Sequence, residues 1–110
     1  MLEKIVGIEE RYEEINQLLM EVGDNYQRAA ELSKERADIE PLVQKTAKYR
    51  QVLKQLEEAQ HLLDGEDEEL RELAQAEINE LEPQKQSLEA KIKGMLLPKD
   101  PRDERNDTHP

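Results

Sequence analysis

Twenty-seven carboxylates and two histidines are the side chains of this 110-residue sequence best able to bind a metal or move a proton. Glu9 with Glu13, and Glu10 with Glu14, stand four residues apart, so on a helix each pair shares a face. Two carboxylates so placed could hold a cation or divide acid and base roles, provided burial or a close charge moves their pKa values apart. Both pairs fall on the polar side of an amphipathic segment, where they read as solvated neighbours. His61 and His109 are far apart in the chain and have no third ligand at a metal-site spacing. The stretch DGEDEE at 64–69 resembles the opening of a calcium loop, but the EF-hand order requires Gly in the sixth place and Glu in the twelfth. The sixth is Glu69 and the twelfth is Gln75.

Lys45, Lys48, Arg50 and Lys54 form the basic concentration of the sequence. On a helix they spread over more than one face, as solvated cations do, and they are also the place where the chain would touch an RNA phosphate. There is no glycine-rich phosphate loop, no Ser–His–Asp set and no metal motif. The expectation is therefore no catalytic residue, no cofactor and no metal: an acidic helical interaction module and not an enzyme.

Composition narrows the partners. The net charge of −11 opposes a nonspecific grip on DNA or on an anionic membrane, because such binding needs clustered Lys and Arg to displace counterions. The absence of Cys removes a disulfide framework, a thiolate zinc site and a cysteine nucleophile, and suits a reducing compartment. No stretch approaches the ~20 apolar residues of a membrane span and the N-terminus has no signal-length apolar run, so the expected location is cytoplasmic.

The elements that must position these side chains are helices. Ile5, Ile8, Tyr12, Ile15, Leu19 and Val22 alternate spacings of three and four, which predicts a helix over 2–22, closed by Gly23 in a left-handed conformation. Asp24 is the expected N-cap of a second helix, with Gln27 completing a capping box. So short a connection makes the first two helices antiparallel. Ala29, Ala30, Leu32, Ala37 and Ile39 give a weak stripe over 24–39. Pro41 then interrupts, and Leu42, Thr46, Tyr49, Leu53, Leu56 and Leu63 give a better stripe over 41–63, read as a kinked or broken continuation. Asp64 and Gly65 end it. The acidic run that follows suits the first turn of a last helix from 67 to about 96, with the stripe Leu70, Leu73, Ala74, Leu81, Leu88, Ile92 and Met95 and a bend expected near Pro83. Glu77 and Lys85 fall in positions where a core residue is expected. Gly94 and the Leu97–Pro98 pair close the helix. The fold class is all-α: an antiparallel bundle of three to four helices with a long two-helix, coiled-coil-like arm.

The stretch LLPKDPRDERN at 96–106 resembles the junction after the N-terminal helical domain in the release factor 1 family, the bacterial-type class I peptide chain release factors. The segments IEERYEEINQLL, ELSKERADIEPLV, YRQVLKQLEEAQHLLD and ELRELAQAEINELE are similar to that family's pattern in order and spacing. The resemblance implies a helical N-terminal domain over 1–97 and a connector over 98–110 leading to a central domain that this sequence does not contain. The family's stop-codon-reading tripeptide and Gly-Gly-Gln loop lie beyond the matched region, so no catalytic residue carries over. What remains implied is a monomeric docking module that reaches the GTPase-associated region of the large ribosomal subunit, close to a translational GTPase, with Lys45, Lys48, Arg50 and Lys54 as the expected contacts. The alternative of a different class is a free-standing coiled coil that dimerises or holds clients as prefoldin does.

Overall fold

The computed structural model describes residues 2–97, and these form three helices: α1 (Leu2–Glu21), α2 (Tyr26–Leu63) and α3 (Glu68–Leu96). Of the junction at 96–106, only Leu96 and Leu97 lie within the described residues.

The first turn forms as its residues require. Gly23 adopts φ +56°, a left-handed value that costs a side chain with a Cβ about 1 kcal/mol or more. The N-cap of α2 is Asn25 and not Asp24: the Asn25 side chain accepts from the Arg28 backbone N–H at 3.1 Å. The backbone N–H of Asn25 donates to the Val22 carbonyl at 3.0 Å, and this tight reversal shifts the cap one residue along. Asp67 caps α3 in the same way, accepting from the Leu70 N–H at 3.3 Å, ahead of Glu68 and Glu69 in the first turn. Arg71 donates to the Leu63 carbonyl at 3.1 Å. That bond satisfies one of the last carbonyls of α2, which have no partner within their own helix.

The second and third predicted segments are a single helix. α2 runs unbroken through Pro41 for 38 residues, about 57 Å at 1.5 Å per residue, in keeping with the 60 Å long dimension of the molecule. Pro41 removes the bond its own N–H would make to the carbonyl of Ala37. Its ring is exposed, while Leu32 before it and Leu42, Thr46, Tyr49 and Val52 after it are buried. Burial on both sides holds the helix together across the lost bond. α3 likewise continues through Pro83 and Gly94 and stops at Leu97, whose ψ of 136° is extended as a residue before proline should be.

α2 is the spine of the fold. Arg11 and Asn16 of α1 bond to Glu35 and Arg36 of α2, and Tyr49 of α2 bonds to Glu89 of α3. The short connections at 22–25 and 64–67 turn both neighbours antiparallel to α2, α1 along its N-terminal part and α3 along its C-terminal part. They overlap at its middle, where Ile5, Leu42, Tyr49, Val52, Leu81, Leu88 and Ile92 form one core, with Ile8, Leu53, Leu56 and Leu96 packed against it. Thr46 is fully buried there, and its hydroxyl donates to the Val43 carbonyl at 2.8 Å.

Away from this centre each hairpin is only two helices thick and can bury one narrow stripe. For that reason Leu70 and Leu73, placed in the core by their spacing, are exposed, Leu73 at 65%; Met95, also placed there by its spacing, is exposed although its neighbours Ile92 and Leu96 pack in the centre. In the α2–α3 hairpin the buried residues beyond the core are the small Ala59 and Ala74. Glu77 is exposed and Lys85 half-buried.

Candidate nucleic-acid interface

Two polar systems hold the α1–α2 pair. The Arg11 guanidinium grips Glu35 through two bonds of 2.6 Å and also reaches Glu14. Arg36 donates to Asn16 at 2.7 Å and lies 5.1 Å from the centre of the Tyr12 ring, a cation–π distance. The hydrogen bond from Arg11, ahead of the opposing cost of burial, holds the Glu35 carboxyl below its ordinary value. Bonds to Glu35 and then Glu14 raise the arginine. These are fully committed charges, suited to fixing helices and not to binding a ligand.

The carboxylate pairs of α1 are divided by the fold. Glu9 pairs with Arg50 of α2 at 2.8 Å and Glu14 with Arg11, while Glu10 and Glu13 are exposed. His61 is exposed, and His109 lies outside the described residues. Among the described residues no three His, Asp or Glu side chains converge on one point. No helix there is long and apolar enough to cross a membrane.

The basic concentration is sorted more sharply. Arg50 is turned toward α1, donating to both oxygens of Glu9 at 2.8 to 3.2 Å, and that bond raises its pKa. Lys54 is exposed and stands apart. Lys45 and Lys48, one turn apart on α2, line an open groove of about 370 Å³ whose other wall is α3, with Pro83, Gln84, Ser87, Leu88 and Lys91. The register is set by Tyr49, which is 4% exposed and donates its hydroxyl to Glu89 at 2.9 Å. Burial, then that bond to an anion, raises the tyrosine pKa.

On α3 the groove residues Gln84, Ser87 and Lys91 follow at spacings of three and four and share a face. Lys91 was not singled out by sequence. Its signal is that spacing, which gains meaning only once α3 is known to return beside Lys45 and Lys48. No carboxylate lines this groove, in a chain with 27 acidic and 16 basic residues. No ion pair among the described residues engages its three lysines.

Comparison with known proteins gives the family. The profile of the PCRF domain matches residues 8–108. Peptide chain release factor 1 of Geobacillus sp. (strain WCH70) is 45% identical over 109 residues, which make up 96% of this chain and 30% of that protein. The release factor 1 of a Nitratiruptor species is 45% identical over 106 residues, 94% of this chain and 29% of that protein. That of Aliarcobacter butzleri (strain RM4018) is 48% identical over 98 residues, 87% of this chain and 27% of that protein. The chain thus spans about 30% of the length of the relatives it matches. No solved structure matches it. With helices, spacing and relatives in agreement, the chain belongs to the PCRF domain family, and its curated relatives are release factors of the first kind.

Proposed function

We propose that this chain serves translation termination as a non-catalytic docking domain, binding the ribosome at the GTPase-associated region of the large subunit within reach of a translational GTPase. The observation that carries this reading is similarity to release factor 1 along nearly the whole chain. The fold supports it: three helices, the first two tied by the Arg11–Glu35 and Arg50–Glu9 pairs, make a stiff strut, and a groove with three lysines and no carboxylate is lined from two of them. The domain occupies 1–97, and 98–110 is its connector. It acts in the cytoplasm as a monomer, since its apolar centre is already covered from three sides by its own helices.

Sedimentation of the purified chain with ribosomes tests the proposal. Saturable binding without hydrolysis of peptidyl-tRNA is expected, and failure to cosediment at micromolar concentration contradicts it. Light scattering checks the monomer. A stable dimer would favour a self-associating coiled coil instead.

A further inference from the structure

We infer that the α2–α3 groove is a phosphate-backbone site for RNA, in which Lys45, Lys48 and Lys91 neutralise consecutive phosphates while Ser87 and Gln84 donate hydrogen bonds to their oxygens. This rests on the ribosome-docking reading and assigns that docking to specific residues.

Three features of the groove point to this ligand. Lysine ammonium groups are compact charges without the planar fork that arginine uses for bidentate recognition, so three of them suit a chain of phosphates read without regard to base. Arg11 of α1 and Arg50 of α2, by contrast, are committed to Glu9, Glu14 and Glu35. The cations also come from two helices whose axes, for packed helices, lie roughly 8–10 Å apart. That separation spreads the positive charge along a strand instead of focusing it on one ion. Finally, the molecule as a whole carries the opposite sign, with a net charge of −11. A flat anionic membrane would meet the chain's net negative charge over a wide area, whereas a single strand can enter the groove. Leu88, 6% exposed, and Pro83 add apolar surface to the groove, against which the lysine stems can lie with their charged ends in water.

The test uses the 110-residue chain and two triple variants that each remove three positive charges. One is Lys45→Gln, Lys48→Gln, Lys91→Gln. The other is Lys4→Gln, Lys34→Gln, Lys93→Gln, which changes exposed lysines that do not line the groove. Helicity by circular dichroism checks that both fold.

Ribosome affinity is measured by cosedimentation across a salt series, and amide shifts are followed by NMR during titration with a twelve-nucleotide oligouridylate and, separately, with inorganic phosphate. The groove variant is expected to lose roughly tenfold or more in affinity and to flatten the salt dependence by about two units of slope, at ~0.7 per phosphate contact. The control variant should stay within about threefold of wild type. The oligouridylate should shift residues 45, 48, 84, 87 and 91, and phosphate alone at matched phosphate concentration should not.

Equal losses in the two variants, or equal shifts with phosphate alone, would overturn the assignment. If the groove variant binds ribosomes as wild type does, the groove assignment fails and the docking reading stands. If wild type fails to bind ribosomes, the docking reading fails, and the groove assignment falls with it unless the oligouridylate shifts the groove residues.

Discussion

At the scale of single residues, two contacts make stability respond to pH. The bond from Arg11 holds Glu35 below the ordinary carboxylate value of 4.5. The folded state therefore binds the proton less readily than the unfolded one, and this contribution is present above pH 4.5 and lost as pH falls through the lowered value. Urea midpoints measured along an acid series should fall in that window, and fall less steeply in Arg11→Gln.

Tyr49 has the opposite sign. Its pKa is raised above 10.0, so its contribution is complete below pH 10.0 and lost as pH rises through the folded value. Tyr49→Phe removes the bond to Glu89 and should cost about 1–2 kcal/mol by denaturant unfolding at neutral pH. It should also flatten the alkaline limb. Neither pair could be read from sequence. Arg11 with Glu35 and Tyr49 with Glu89 are 24 and 40 residues apart, and only the antiparallel register joins them. Lys45 and Lys48 were legible as a charge cluster, and Lys91 was not, for the same reason.

At the scale of elements, periodicity located all three helices because spacings of three and four survive without knowledge of a partner. It left α2 open between a kinked and a broken helix, because Pro41 has an intrinsic cost that is visible in sequence while the compensating burial of Leu32, Leu42 and Tyr49 is not. That difference is testable. Pro41→Ala restores the bond to the Ala37 carbonyl and relieves the ring clash at an exposed position, and should raise stability by about 1–3 kcal/mol. At the turn, Asn25→Ala should lower stability by about 1 kcal/mol, whereas Asp24→Ala should change it by less than half of that. Thermal unfolding of the pair distinguishes the observed cap from the one the sequence suggested.

At the scale of the whole molecule, one long helix carries two shorter ones that meet only at its middle, and this concentrates the stability there. Ile92 is fully buried in that centre, and Ile92→Ala should cost about 3–4 kcal/mol. Leu73→Ala, on the same helix but 65% exposed, should cost less than about 0.5 kcal/mol. The all-α class was legible from the heptad-like stripes. Which leucines are covered was not, since that depends on where three helices overlap and where only two run together.

The same architecture suits a strut that holds a binding surface at a distance, and in the proposed role it docks on the ribosome without performing the release reaction. The most direct measurement is termination in a purified translation system, with full-length release factor 1 limiting and this chain added in increasing excess. A dose-dependent slowing of peptide release is expected, with no release when the chain is supplied alone. Unchanged release at a large excess of the chain, or hydrolysis by the chain itself, would contradict that role.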